Sequence, residues 1–514
     1  MTRRGPIRSF EKRKQALSKK AVLGVLAAAI AVAYGGSTWF AGSKVKSVYD
    51  TTFDELPKQT ALVRVVERKY DRGFLGAVST VTLEIGCAAD ATAAAQAPAA
   101  KPAEGEEADD QDSDEADVKP PKPFRITVRD TIHHGPLAGG TLAAATIDSE
   151  LVLDIKAQAG AEKLFGKAKP LTAHTKVGFD GAYTSDFTIA PAKLAEDGKG
   201  QLAWQGAQAR VEVNGARTRA RYEMTMPGLD FNDAAKGLQM KMGKFTAKAD
   251  MDSSAGWILA TGKSDARLDA FEFSATKGFG GSADADAPAG THKPVKVLLQ
   301  NIDLTGEASI KDGLYASEGS IKGQGKIGET SIDKFEMSSG ARRIHAAGYK
   351  KLADAWLQSN AAAGCGKGSK ASQAAMQALA DQLAPDLKAM AKYSPEFGLD
   401  KMVVEIGGKR AEISYTAGLV GVTDEDLQAP GMALMMKRGV LKANARLPVQ
   451  WLEQIAATGA ESGQTPPPEM VAGLIEQGEA NGFVKRDGEH VTGQIEFSEG
   501  NLKVNGKPLG AMGK

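Results

Sequence analysis

Residues 302–310 read IDLTGEASI. Ile302, Leu304, Ala308 and Ile310 alternate with Asp303, Thr305, Glu307 and Ser309. A period of two sends successive side chains to opposite sides of a strand, so this one has an apolar face and a wet face. One-sided burial marks antiparallel sheet, because parallel sheets are covered on both faces and read as unbroken apolar runs. The alternation recurs in TVTLEI, residues 80–85, where Val81, Leu83 and Ile85 face away from Thr80, Thr82 and Glu84. In 147–155, Ile147, Leu151, Leu153 and Ile155 share one parity. In 491–498, Val491, Ile495 and Phe497 oppose Thr492, Gln494, Glu496 and Ser498. From 124 to 340 further candidate strands follow about every 10–15 residues, set apart by Gly, Asp and Asn, as in meanders joined by hairpins. The expected fold is mainly β with α, an α+β arrangement of long, curved antiparallel sheets with a few covering helices.

Helical spacing is rarer. Val45, Val48 and Tyr49 predict a short helix that Pro57 ends. Met376, Leu379, Leu383, Leu387 and Met390 form an amphipathic stripe, with Pro385 inside it expected to kink or split the helix. Two more helices are expected, one from Pro448 with Trp451, Leu452 and Ile455, the other after Thr465-Pro466-Pro467-Pro468 with Met470, Val471, Leu474 and Ile475. These helices are read as cover for one sheet face. The alternative is a Met- and Leu-lined groove for a lipid or peptide.

Composition bounds the function. At about 150 residues per domain, 514 residues suggest three to four domains. Sixty-four Lys and Arg against 63 Asp and Glu give a net charge of +1, so nothing points to a nucleic-acid binder. Glycine is abundant, at 58 residues, and aromatics are 6%, which fits a turn-rich chain. Two cysteines exclude a disulfide-dense scaffold and a four-cysteine zinc site.

The N-terminal region carries Arg3, Arg4, Arg8, Lys12, Arg13, Lys14, Lys19 and Lys20 against Glu11, and then no charge from Ala21 to Ala41. A helix needs about 20 apolar residues to cross a bilayer. Trp39 and Phe40 stand where an interfacial aromatic belt would, and only Lys44 and Lys46 follow closely. The charge asymmetry places the N-terminus in the cytoplasm and the body outside. Ala31-Val32-Ala33 also fits a signal-peptide cleavage site. The uncleaved anchor is preferred because the uncharged run continues past it. Residues 88–123 are Ala- and Pro-rich with a dense run of acids, and are expected to be disordered. The organisation read from these shifts is a basic tail at 1–20, an anchor at 21–41, an exit helix and first strands at 42–87 and the acidic insertion at 88–123. An antiparallel β domain at 124–345 and an α+β C-terminal domain at 346–514 complete it.

Chemical motifs are few. Gly323, Gly325 and Gly328 in GQGKIG match a dinucleotide fingerprint, but a strand-like TSIDKFEMS follows where a helix is required, so a glycine-rich hairpin is expected. His133, His134, His174, His292, His345 and His490 show no metal-ligand spacing, and there is no nucleophile elbow, Walker A loop or C-x-x-C. No cofactor or metal is expected. Whether Cys87 and Cys365 pair is open. In His134-Gly135-Pro136-Leu137, Pro136 makes a rigid corner. This is either a turn holding a partly buried histidine or a ligand-contacting loop.

Four strings in order carry a resemblance: STWFAGSKVKSVYD at 37–50, ERKYDRGFLGAVSTVTLEI at 67–85, IHHGPLAGG at 132–140 and VNGKPL at 504–509. Together they resemble the YdgA-like family of bacterial envelope proteins, DUF945. The resemblance implies a single-pass inner-membrane protein of Gram-negative bacteria with a periplasmic β-rich body, and no transferable catalytic residue. The functional expectation is non-catalytic: an anchored envelope protein contacting lipid, another apolar ligand or an envelope protein, with a homodimer compatible. The candidate contact residues are His134, Pro136, Met376, Leu379, Leu383 and Leu387. The alternative is a hydrolase-type enzyme whose site assembles from separated residues such as Arg129, Asp130 and His134. Loop closure depends weakly on length, so replacing Asp90–Lys119 by a short Gly/Ser linker should change unfolding free energy by less than about 1 kcal/mol, measured by denaturant titration.

Overall fold

The computed structural model describes residues 37–38, 41–51, 53–54, 56, 63–86, 124–153, 155–196, 200–235, 237–276, 295–363, 369–460 and 468–511. Most of the uncharged stretch, the acidic insertion, Cys87 and Cys365 lie outside them. Among the described residues no helix is long and apolar enough to cross a membrane.

The described residues build one 24-stranded sheet. After a helix α1 within 37–56 come β1 (Val63–Arg72), β2 (Gly76–Ile85), β3 (Phe124–His134) and β4 (Ala145–Val152). Helix α2 (Ile155–Phe165) leads to β5 (Leu171–Val177) and β6 (Tyr183–Ile189). The next strands are short: β7 (Ala192–Glu196), β8 (Gly200–Trp204), β9 (Ala207–Val213), β10 (Arg219–Met226), β11 (Leu229–Asp233), β12 (Leu238–Met242) and β13 (Phe245–Asp252). The long ones follow: β14 (Thr261–Ala275), β15 (Val295–Lys311), β16 (Leu314–Ile327) and β17 (Thr330–His345). Helices α3 (Ala346–Ala363) and α4 (Ser369–Ala391) pack on each other before β18 (Glu396–Ile406) and β19 (Lys409–Leu419). Then come α5 (Gly431–Arg438), β20 (Gly439–Pro448), α6 (Val449–Ala460) and α7 (Pro468–Asn481). The last strands are β21 (Lys485–Asp487), β22 (His490–Ser498), β23 (Asn501–Val504) and β24 (Lys507–Ala511).

From β1 to β6 each strand pairs antiparallel with the next, and the path continues through β9, β10, β13 and β14. It then runs without a crossover from β14 to β20 and ends through β22, β23 and β24. The sheet is open: β1 and β24 pair on one side only. It runs straight through two of the boundaries drawn from sequence. β2 pairs with β3 across the acidic insertion, and β17 pairs with β18 across α3 and α4. Several hairpins have the turn chemistry that two-residue connections require, with positive φ at Asp312-Gly313, Gly407-Gly408, Glu499-Gly500 and Asn505-Gly506.

A line of breaks crosses the middle of the sheet. β6 passes into β7 at Ala190-Pro191, β8 into β9 at Gln205-Gly206, β10 into β11 at Pro227-Gly228 and β12 into β13 at Gly243-Lys244. Pro191 and Pro227 have no N–H to give the ladder. Gly206 has φ 89°, and a Cβ there would lie 2.8 Å from the Ile189 carbonyl oxygen. Beyond the line, β7, β8, β11 and β12 form a strip that rejoins the sheet on the far half of β14. On β15 the break is a bulge at Asn301, φ 50°. Leu304 pairs with Ile321 and Leu299 with Gly325, two residues of like parity on β16, so the bulge returns Leu299 to the side that Leu304 faces.

The expected helices form. Pro385 does not split its helix: α4 runs through it, because Pro385 and Asp381 are exposed and water can meet the freed carbonyl. Small apolar clusters tie the helices down. Val45 of α1 packs with Ala77, Ile132 and Ala145. Val471 and Ile475 of α7 pack with Val491. Ala391, Val422 and Leu434 hold the start of α5. Ile132 is 1% exposed at the centre of the first cluster. Ile132→Ala should lower unfolding free energy by about 2–5 kcal/mol in denaturant titration, as cavity-forming core truncations do.

Candidate functional site

In an antiparallel pair, residues directly opposite each other point to the same side of the sheet. Met224 of β10 lies opposite Ala247, which lies opposite Ala266, and the row continues through Leu304, Ile321, Met337, Met402 and Ile413. The neighbouring row on the same side runs Tyr222, Ala249, Ser264, Gly306, Gly319, Ser339, Leu399 and Tyr415. Neither row contains a charge. The intervening row on the reverse side is Glu223, Lys248, Asp265, Thr305, Ser320, Ser338 and Lys401. That reverse side is laced by ion pairs such as Arg219 to Asp250 at 2.7 and 2.8 Å and Arg342 to Asp400 at 2.7 Å.

The apolar side is not a closed core. Tyr222, Leu304, Met337, Met402 and Tyr415 are each 37–45% exposed. A trough of about 720 Å³ lies along it, lined by residues of β10, β13, β14, β15, β16 and β17, including Tyr222, Met224, Ala266, Leu304, Ile321 and Met337. Small residues at its centre, Ala247, Ala249, Ala266 and Gly319, let an occupant approach the backbone.

At the β1–β4 end the same side is covered by α1. Thr38, Gly42, Val45 and Tyr49 form one helix face and meet Gly135, His134, Ile132 and Asp130 in turn. From 38 to 49 the helix advances about 16 Å, and β3 covers about the same distance from 135 to 130, so the two elements stay in step. Contact is close at the top: a Cβ on Gly42 would lie 2.7 Å from the His134 ring, and one on Gly135 2.6 Å from Thr38 Oγ1. Lower down, Tyr49 Oη donates to Asp130 Oδ2 at 2.7 Å, and Ser79 Oγ donates to Tyr49. Burial pushes the Tyr49 phenol well above its ordinary pKa, and the Asp130 carboxylate adds to the rise. Arg72 donates to Ser43 Oγ at 3.1 Å and Arg68 to Asp54 at 3.0 Å, fastening the helix from its wet side.

The sequence-derived candidates do not converge. His134 is 2% exposed beneath Gly42, and Pro136 is half-buried behind it. Asp130 and His134 share a side of β3 with Ile132 between them, while Arg129 alternates to the other side. On α4, Leu379 and Leu383 are half-buried, Leu387 is 51% exposed and Met390 packs on Gly348; the Met376 side chain lies outside the described residues. Among the described residues no group of His, Cys, Asp or Glu could hold a metal ion. The buried carboxylate of Asp426, which sequence reasoning missed, is held between two cations. It accepts from the Thr423 amide at 2.9 Å and Arg438 Nε at 2.7 Å beside Lys437 at 2.6 Å, and Lys437 above all holds its carboxyl well below the usual range. The trough was also missed, since no single strand reveals a row that crosses many.

A family model described as a bacterial protein of unknown function, DUF945, matches residues 17–511. The chain belongs to that family. No curated protein and no solved structure matches it. The geometry described for this DUF945 chain therefore rests on its own residues. The motif strings have structural roles in it. Asn505 of VNGKPL accepts from the Gln494 amide at 3.0 Å and donates to the Gly482 carbonyl at 2.9 Å, pinning the last hairpin to the end of α7. Gly323 and Gly325 lie within β16, and β17 follows as a strand.

Burial lowers the pKa of His134, with the Arg72 charge adding to the effect and backbone groups of Gly76 and Thr38 opposing it. A depressed imidazole pKa favours the folded state when the ring is neutral. That stability is held above the ordinary histidine pKa and lost as pH falls from there through the folded value. Melting temperature should drop between about pH 7 and pH 5, and His134→Gln should shrink that drop in thermal melts across the range.

Proposed function

We propose that this DUF945 chain is a non-catalytic, single-pass inner-membrane protein whose periplasmic body holds lipid acyl chains along the apolar side of its sheet. The observation that carries this reading is the uncharged double row from Tyr222 and Met224 to Ile413 and Tyr415, with its largest side chains exposed. A contiguous apolar surface of this kind marks an interaction site. Its backbone groups are already paired within the sheet, so an occupant gains apolar contact and no main-chain hydrogen bonds. That suits a hydrocarbon chain better than a peptide strand, which needs a free edge. Six strands at about 4.8 Å spacing give a strip roughly 25 Å long, the scale of an extended acyl chain. The anchor reading is supported by the charge asymmetry around 21–41 and by α1, which takes the chain from that stretch directly onto the sheet.

Full-length protein extracted in mild detergent should carry co-purifying lipid and gain melting temperature on adding a long-chain fatty acid, since a ligand of the native state stabilises it. Met337→Asp and Leu304→Asp should abolish both effects while changing unaided stability by less than about 1 kcal/mol, because both side chains are already partly in water. Absence of lipid and of any fatty-acid response in the parent protein would sink the reading. A large stability loss in both variants would mark the rows as core instead.

A further inference from the structure

We propose that the hairpin tips at the β1–β6 end of the sheet form a rim seated in the membrane interface, with Phe74, Leu75, Leu137, Leu142 and Phe179 in contact with lipid. The proposal rests on the reading of residues 21–41 as an anchor. Register places these tips side by side: Gly76 pairs with His133, His134 with Ala145, Ala145 with Val177 and Val177 with Tyr183. The turns 73–75, 135–144 and 178–182 thus stand at one end of adjacent strands. Their large apolar side chains are among the most exposed of the described residues: Phe74 63%, Leu75 55%, Leu137 57%, Leu142 71% and Phe179 62%.

These tips are not frayed loops. Gly73 N donates to Gly76 O, and His134 N to Leu75 O. Gly135 N donates to Ala144 O, Ala138 N to Gly135 O and Thr141 N to Ala138 O. Gly178 N donates to Ala182 O, and the Ala182 amide to Asp180 Oδ1. In the 135–144 loop Ala138 and Ala143 are 2% and 1% exposed, while Leu137 and Leu142 point out. Small residues inside and large apolar ones outside reverse the order expected of a surface that meets water. A hydrogen-bonded loop that holds leucines outward suits an apolar medium, as the apolar face of an interfacial segment does.

The position of the rim names the medium. Thr38, in the first described turn of α1, lies against Gly135 at this same end, and the residues running up to it from Ala21 carry no charge. The other end of the same strands is ionic, with Arg64 and Arg125 on Glu84 and Lys169 on Glu150. The apolar end therefore faces the bilayer from which the chain emerges, and the charged end faces away from it. This arrangement also accounts for the His134-Gly135-Pro136-Leu137 corner, whose buried histidine and glycine lock under α1 while its leucine is held out toward lipid.

The test uses full-length protein, with Cys87→Ser and Cys365→Ser, in vesicles of phosphatidylethanolamine and phosphatidylglycerol. Nitroxide labels are placed singly through Phe74→Cys, Leu142→Cys, Phe179→Cys, Ile189→Cys and Ala33→Cys. The ratio of collision with oxygen to collision with a water-soluble nickel chelate reads depth. The ratio should be several-fold higher at 74, 142 and 179 than at Ile189, which lies at the opposite end of β6. Rim ratios equal to that at 189, with a lipid-like ratio at 33, overturn the rim and leave the anchor standing. A water-like ratio at 33 overturns the anchor, and the rim stands only if its three labels still report lipid.

Discussion

Antiparallel register is the constraint on which the rest of this molecule depends. Because opposite residues share a side, each strand that alternates apolar with polar extends the same two surfaces. The ladder from Met224 to Ile413 is this rule applied across many strands. Most sheet proteins bury the apolar side under a second layer. Here α1 covers the β1–β4 end and α6 and α7 gather around β20–β22, while Tyr222, Met337 and Tyr415 between them stay exposed. The backbone groups are paired along the sheet, so what the open side can offer is dispersion and the hydrophobic effect, which discriminate by shape and length rather than by hydrogen-bond pattern.

The junction between α1 and β3 sets how that sheet is attached. A helix and a strand advance at different rates per residue, and they stay in contact only where their spacings match. Thr38, Gly42, Val45 and Tyr49 on one side and Gly135, His134, Ile132 and Asp130 on the other meet that condition. Glycine at 42 and 135 brings the backbones close enough for a histidine ring to fill the gap. The arrangement fixes the direction in which the chain arrives and, with it, which strand ends lie nearest the uncharged stretch. The trough and the apolar tips follow from one packing: the sheet's apolar side lies under the helix, and the tips of β1–β6 stand beside Thr38 in its first described turn.

Much of this was legible in the residues. The alternation at 80–85, 302–310 and 491–498 marked strands that form, and the strand after GQGKIG excluded a phosphate loop. The stretch 147–155 was read too long: the strand stops at Val152 and Ile155 opens helix α2, because shared parity cannot tell a strand end from a helix start. The Gly, Asp and Asn residues between the candidate strands of 124–340 marked hairpins, and Asp312-Gly313 is one, with the positive φ that such a turn needs. The line of breaks was not legible. Pro191, Gly206, Pro227 and Gly243 are ordinary turn residues when read singly, and their alignment exists only once β6, β9, β10 and β13 stand side by side. The separation of Arg129 from Asp130 and His134 is implied by the period of two that defines β3. The stripe on α4 looked like a single face, yet it divides between a buried Met390 and an exposed Leu387, because α4 packs mainly on α3 rather than flat on the sheet.

By itself the sequence determined most local conformations: the strongly alternating strands, the amphipathic helices near 45–49, 376–390, 448–455 and 470–475, and the family to which those strings belong. These follow from periodicity and turn chemistry, which act over a few residues. The tertiary structure decided that the described strands join in one open sheet, that its apolar residues line up into an uninterrupted side, and that Leu137, Leu142 and Phe179 share one end. Those outcomes depend on register between strands distant in sequence. Register is a property of pairs, and no single strand contains it.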